Sequence, residues 1–255
     1  MNRQICALAR RPAINVCIIP ARGGSKRIPH KNIRPFCNRP IVQYTIDAAL
    51  ACGCFKRVIV STDDVNIKTV AAGAGAEVPF DRPEALADDH STVLTSVKHA
   101  IEWLKTEGET PDYVCMVYAT APFLTGSVLR QSYEQLRVAG KKVYCLGVTE
   151  FRYPIQRAVY RTRDGGIRMF QPEHFFSRSQ DLVKAYHDAG QFLWGTAEAF
   201  LRELPVFEAH TIPFMLPSYQ VQDIDTEDDW IRAEMMYQIM NSPPTAQLSN
   251  GIEEK

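Results

Sequence analysis

Short, continuously apolar runs, each followed by a stretch with helical spacing, most constrain what this chain can fold into. Asn15–Pro20 (N-V-C-I-I-P), Arg57–Ser61 (R-V-I-V-S), Tyr113–Tyr118 and Val143–Val148 read as strands, with a brief one at Glu77–Phe80. Runs without an apolar–polar alternation are the pattern of strands covered on both faces. Helical spacing predicts helices over Ile41–Leu50, Val65–Ala72, Ser91–Lys105 and Ser127–Val138, and a closing helix over Asp228–Met240. In the third of these, Val93, Val97, Ala100, Ile101 and Leu104 share one face. Such an alternation predicts an α/β fold: a mostly parallel sheet with helices on both faces. Ligands on such sheets sit beyond the carboxyl ends of the strands, near the point where strand order reverses.

The alternation breaks after Thr149. Residues 151–195 are rich in aromatics, Arg, Gln and Gly, and Arg163-Asp164-Gly165-Gly166 is a hairpin turn signal. This stretch is expected to be a small insert attached to the sheet. One domain is expected over 14–240, after a disordered lead-in at 1–13 and before a polar tail at 241–255.

Lys plus Arg and Asp plus Glu are equal at 29 each, which disfavours a nucleic-acid binder or a membrane-surface binder. No run approaches the ~20 apolar residues of a membrane span. Val16–Ile19, after Arg10 and Arg11, is too short for the core of a signal peptide. The seven cysteines are irregularly spaced, and Cys52 and Cys54 form C-x-C rather than a C-x-x-C metal or redox motif. Reduced structural thiols in a cytoplasmic protein are expected.

The even balance conceals an asymmetry. Nine Lys and Arg precede the first acid, Asp47, and no Lys or Arg lies between Arg202 and Arg232. The cations concentrate after the first strand, in Ala21-Arg22-Gly23-Gly24-Ser25-Lys26-Arg27-Ile28-Pro29-His30-Lys31-Asn32. Gly23 and Gly24 permit a tight turn that can present amides to an anion. Arg22, Lys26, Arg27 and Lys31 add the charge that a triphosphate needs. The loop is neither a Walker A sequence nor G-x-G-x-x-G. A solvated basic loop would also account for the cations, and its place after the first core strand favours the nucleotide reading.

Asp223 and Asp225, in Gln222-Asp223-Ile224-Asp225-Thr226-Glu227, point the same way if the segment is extended. Two hard oxygen ligands suit Mg²⁺, which completes its shell with phosphate oxygens and water. A helix N-terminus capped by Thr226 explains the same acids, and the two readings are compatible.

These residues resemble the CMP-sugar synthetases that activate sialic acids and related acidic sugars. The signature I-P-A-R-x-x-S-K-x-x-x-x-K-N stands here as Ile19-Pro20-Ala21-Arg22-Gly23-Gly24-Ser25-Lys26, ending in Lys31-Asn32. Ser61-Thr62-Asp63, Arg82-Pro83, Ala119-Thr120-Ala121-Pro122 and Asp223-Ile224-Asp225 extend the match over roughly residues 15–240. The resemblance implies a Rossmann-like sheet, a homodimer, and attack of a sugar anomeric hydroxyl on the α-phosphorus of CTP with loss of pyrophosphate. It implies that Arg22 and Lys26 contact phosphates and that Lys31, Asn32 and the loop residues Ala21, Gly23, Gly24 and Ser25 hold the nucleotide. Arg82 and Ser91-Thr92 fall near the cytidine. Asp225 with Asp223 holds Mg²⁺. Asp223 or a metal-bound hydroxide would take the sugar proton.

Two departures from the sialic acid pattern fall where the sugar should lie. Tyr118-Ala119-Thr120-Ala121-Pro122 replaces Gln-Pro-Thr-Ser-Pro, and Asp188-Ala189-Gly190-Gln191-Phe192 replaces Asn-Gly-Ala-Ile-Tyr. With Pro154–Arg157 and Arg178–Asp181, they resemble the branch that uses pseudaminic acid, a nonulosonic sugar. Tyr118, Gln156, Arg157, Arg178, His187, Asp188, Gln191 and Phe192 are the sugar-site candidates. Arg157 or Arg178 would pair with the sugar carboxylate. A dimer arm or packed hairpin is the other reading of this stretch. Sialic, legionaminic or ketodeoxyoctonate enzymes are the near alternatives, and a non-catalytic nucleotide sensor is the distant one. His90 and His99 are expected at the surface or in the core, and Trp103, Trp194 and Trp230 in packing.

Overall fold

The computed structural model describes residues 11–86 and 92–242. In chain order the elements are β1 (Asn15–Pro20), β2 (Pro35–Phe36), β3 (Arg39–Pro40), α1 (Ile41–Cys52), β4 (Arg57–Ser61), α2 (Val65–Gly73) and α3 (Val93–Thr106). They continue with β5 (Tyr113–Val117), α4 (Gly126–Val138), β6 (Tyr144–Glu150), β7 (Val159–Arg161), β8 (Ile167–Met169), β9 (Tyr186–Thr196), α5 (Ala197–Leu201), β10 (Thr211–Met215) and α6 (Glu227–Asn241). Most of the helix starts follow from local chemistry. Asp64, Thr92, Thr125, Thr196 and Thr226 each accept a backbone N–H at a helix N-terminus.

Six strands form one sheet in the order β10-β6-β9-β5-β1-β4. β1 runs parallel to β4 and β5, β6 runs parallel to β10, and β9 is antiparallel to both of its neighbours. Alternate residues of β1 divide the core. Cys17 and Ile19 pack with α1, α2 and α4, whereas Val16 and Ile18 pack with α3 and α5. The expected sheet with helices on both faces is the fold found. The free thiols Cys17, Cys52, Cys115 and Cys145 are buried. No helix among the described residues is long and apolar enough to cross a membrane.

Three features differ from the sequence reading. Glu77–Phe80 contributes a single bridge, Ile59 to Glu77, in which Glu77 alone exchanges backbone bonds with Val58 and Val60. The edge strand β10 carries Pro213 and only five residues, too little periodicity to announce itself. The insert is shorter than expected, since residues 186–195 belong to β9 at the centre of the sheet. The polar start of β9 and Gly190, at φ 63°, disguise its apolar continuation. What remains between β6 and β9 is a β7–β8 hairpin with short helical turns.

A third apolar cluster positions the site. Ile28 from the loop after β1 and Ile224 from the acidic segment are both buried with Phe36, Ile41, Tyr44 and Trp230. Phe36 meets Tyr44 and Trp230 edge-on at 5.5 and 5.6 Å between ring centroids. Fully burying two isoleucines contributes about 1.5–3 kcal/mol each. That energy joins two segments almost two hundred residues apart.

Gly195 tests the packing of β9. A Cβ there would stand 2.6 Å from the Tyr144 ring and 2.7 Å from Phe200. Gly195→Ala is expected to destabilise the fold by about 1–3 kcal/mol or more, read as a lower urea midpoint. An unchanged midpoint would contradict this packing.

Candidate active site

β1 is the strand from which the order reverses: the chain passes from it to β4 on one side, then to β5 on the other. Beyond the carboxyl ends of these strands lies a cleft of about 280 Å³. Its first wall is the loop after β1, with Arg22, Ser25, Lys26, Arg27, Lys31 and Asn32. Arg82, Thr92 and Ser96 form the second wall, and Tyr118, Ala119 and Thr120 the third. Asp225 closes the cleft from the start of α6. The basic loop and the acidic segment therefore converge on one cavity.

The loop is held from several sides. The Ala21 amide donates to Ser61 O at 2.9 Å, and Asn32 Nδ2 donates to Arg22 O at 2.9 Å. Lys31 Nζ donates to Ile224 O at 2.7 Å and lies 3.5 Å from Asp225 Oδ1. Arg27 pairs with the same Asp225 oxygen at 2.7 Å. Arg27 was a cation of the sequence motif but not a site candidate, and only the fold reveals its proximity to the acidic segment.

Arg82 is 6% exposed and donates through Nε to Ser61 Oγ at 3.1 Å and through a terminal nitrogen to Ser61 O. Burial brings its pKa down to about 10; Asp63 opposes this and Arg22 adds to it. It stays cationic at neutral pH and faces the cleft as a buried positive charge.

The carboxylates are the counterpart. Burial first, and then the charge of Asp225, hold the Asp223 carboxyl above its ordinary range, while Lys31 pulls the other way. Asp188 is raised by burial and by Asp223, and its Oδ1 accepts the Gly190 amide at 2.8 Å. Burial, reinforced by these two carboxylates, pushes Tyr118 up to about 12. Tyr118, Asp188 and Asp223 thus share one electrostatic neighbourhood, of which Tyr118 alone lines the cleft. No group of three or more His, Cys, Asp or Glu suited to a metal occurs among the described residues. The donor set still fits Mg²⁺, which takes one or two carboxylates and completes its shell with substrate phosphates and water. Mutual repulsion of Asp223 and Asp225, which raises the proton affinity of Asp223, is what a divalent cation would relieve.

Several expectations about individual residues are corrected. Ala21 is wholly buried in the core, so its side chain touches no nucleotide. Gly23 does not present its amide to the cleft, because that amide donates to Asp63 Oδ1 at 3.0 Å. Gly24 is also absent from the cleft lining, and a Cβ on it would meet nothing within 4 Å. Ser91 and His90 lie outside the described residues; Thr92 lines the cleft and caps α3.

The sugar candidates divide. Tyr118 lines the cleft, whereas Asp188 does not and acts electrostatically on Tyr118 and Asp223. Phe192 is wholly buried against Phe214 and Gly147, so it is a core residue. Gln191 is 3% exposed, and its amide donates to Gln220 O at 2.5 Å. Gln156 donates to Val183 O at 2.8 Å inside the insert. Arg157 lies in a separate hollow with Tyr153, Pro154 and Ser179, and Arg178 is exposed. His187 is exposed beside Phe151, with ring centroids 4.7 Å apart. Neither Arg157 nor Arg178 lines this chain's own cleft, because both belong to the insert between β6 and β9 rather than to the loops at the strand ends that frame it.

Comparison with known proteins follows the same lines. Residues 16–250 match the protein family described as cytidylyltransferase. The chain is 45% identical to a pseudaminic acid cytidylyltransferase of Campylobacter jejuni over 225 residues, covering 88% of this chain and 97% of the relative. It is 31% identical to a CMP-N,N'-diacetyllegionaminic acid synthase of Legionella pneumophila, with coverages of 88% and 96%. Among solved structures, a CMP:2-keto-3-deoxy-manno-octonic acid synthetase complexed with CTP superposes with a TM-score of 0.65. It shares 14% identity and is covered completely by 89% of this chain, a likeness of fold.

Proposed function

The chain belongs to the cytidylyltransferase family, and from that premise we propose that it joins CMP from CTP to pseudaminic acid with release of pyrophosphate. The observation that carries this reading is the convergence of Arg22, Lys26, Arg82 and Asp225 on one cleft at the strand-order reversal. Similarity to the Campylobacter jejuni enzyme along nearly its whole length supports the choice of sugar.

CTP places its triphosphate along the loop after β1. Arg22 and Lys26 lie against it and stabilise the charge that builds on the departing pyrophosphate. The sugar lies towards Tyr118 and Asp188, where the sequence departs from the sialic acid pattern. Its anomeric hydroxyl attacks the α-phosphorus, the bond to pyrophosphate breaks, and the hydroxyl proton passes to Asp223. Asp223 and Asp225 would hold Mg²⁺, which supplies neutralisation of the triphosphate charge. In that role Asp225 would give up its pairing with Arg27, which would then be available to the substrate.

A homodimer and a cytoplasmic location belong to the same proposal. The insert exposes Tyr153, Ile167, Phe170, Phe175, Phe176 and Val183, and Phe176 is 92% exposed. Large apolar side chains exposed on one insert are the kind of surface a partner covers, and a second copy of this chain is the proposed cover. Free buried thiols suit a reducing compartment.

A sugar panel tests the function. With CTP and Mg²⁺, pyrophosphate release is expected to be fastest with pseudaminic acid, and slower with sialic, legionaminic and ketodeoxyoctonic acids. Faster turnover of any of the other three would overturn the choice of sugar. Release with none of the four would overturn the function.

A further inference from the structure

Ser61-Thr62-Asp63 is part of the sequence resemblance, yet nothing above gives Asp63 a role in the reaction. β4 ends there, and the next turn pins three neighbours in succession. Ser61 and Thr62 are wholly buried, and Thr62 O accepts the Arg82 amide at 3.0 Å. Asp64 Oδ1 accepts the Asn66 and Ile67 amides at 2.7 and 3.0 Å, fixing the start of α2. Between them, Asp63 Oδ1 accepts the Gly23 amide at 3.0 Å. Gly23 is also pressed against the next side chain, since a Cβ on it would stand 2.8 Å from Asp64 Oδ2. The glycine that opens the basic loop thus sits against two successive carboxylates, one bonding its amide and one excluding any side chain.

We propose that Asp63 is a positioning residue for nucleotidyl transfer: by holding the Gly23 amide it fixes the turn from which Arg22 and Lys26 enter the cleft. The inference rests on the CTP reading of that cleft. Gly23 then serves as the anchored turn of the loop, and the phosphate-binding donors are the side chains on either side of it, Arg22 and Lys26. The carboxylate also lies close enough to Arg82 to oppose the effect of burial on that guanidinium. One short turn therefore organises the cations on two walls of the cleft. Asp63 is itself exposed, so replacing it opens no hole in the core.

The test compares Asp63→Ala and Asp63→Asn with the wild type in pyrophosphate release at saturating sugar and Mg²⁺, and in amide hydrogen exchange at Gly23 without CTP. Asparagine keeps an acceptor oxygen at the same place but removes the charge. Asp63→Ala is expected to lower kcat/KM for CTP about tenfold, mainly through kcat, and to speed Gly23 exchange, with an unchanged Tm. Asp63→Asn is expected to stay within about threefold of wild type in both measurements, because the acceptor survives. Wild-type behaviour of the alanine variant in both measurements would overturn the proposal. So would an asparagine variant as impaired as alanine, since charge or metal ligation would then be the role. If the wild type released no pyrophosphate with any sugar, the functional reading would fail. Gly23 exchange would still decide whether Asp63 holds the loop.

Discussion

Lys26→Ala is expected to lower kcat about a hundredfold to a thousandfold, with little change in Tm. Lys26 sits on the loop after β1 and lines the cleft together with Arg22 and Asp225. Its side chain is exposed, so truncation removes no core packing. Departure of pyrophosphate concentrates negative charge that was spread over the triphosphate, and a cation fixed beside that charge stabilises the transition state more than the ground state. The loss should therefore appear in kcat more than in KM for CTP. Lys26→Arg keeps the charge but exchanges a compact ammonium for a broad planar fork, and intermediate activity is expected. Steady-state pyrophosphate release measures all three proteins. An alanine variant with wild-type kcat would contradict the phosphate role of the loop.

Asp225→Ala is expected to abolish detectable product while leaving the protein folded. Its carboxylate pairs with Arg27 at 2.7 Å and approaches Lys31 at 3.5 Å, so removing it leaves two cations facing the cleft without their shared counter-ion. A more positive cleft should bind the bare nucleotide at least as tightly as before. The expected signature is thus lost turnover with retained CTP affinity in metal-free buffer, measured by calorimetry. Both partners of the pair are substantially exposed, so the cost in stability is about 0–1 kcal/mol. Product formation by this variant would remove Asp225 from the proposed metal site. Loss of metal-free CTP binding would mean that the carboxylate acts through the fold of the loop.

Much of the architecture was legible because parallel strands must be apolar on both faces. β1, β4, β5 and β6 show this directly in Val16–Ile19, Val58–Val60, Val114–Val117 and Cys145–Val148. β9 was hidden because its first residues are polar where they reach the edge of the site, so the run resembled more of the insert. The convergence of loop and acidic segment could only be expected from chemistry. What enforces it is the burial of Ile28 and Ile224 in one cluster, two unremarkable residues inside charged motifs. Residue types mark the cations and carboxylates as a set, but not which backbone amides are already engaged. By residue type Gly23 is a phosphate donor, but its amide is engaged by Asp63, a relation between two loops that no local spacing encodes. The fit of a guanidinium to a carboxylate makes Arg157 and Arg178 sugar-site candidates, and the fold places both on the insert, away from this chain's cleft.

A structure of the protein with CTP and Mg²⁺ tests the central claim most directly. The predicted result is a triphosphate in the cleft with Arg22 and Lys26 about 3 Å from its oxygens, and Asp225 released from Arg27 to bind the metal beside Asp223. A nucleotide bound elsewhere, or one in the cleft while Asp225 stays paired with Arg27 and no metal touches either aspartate, would contradict it.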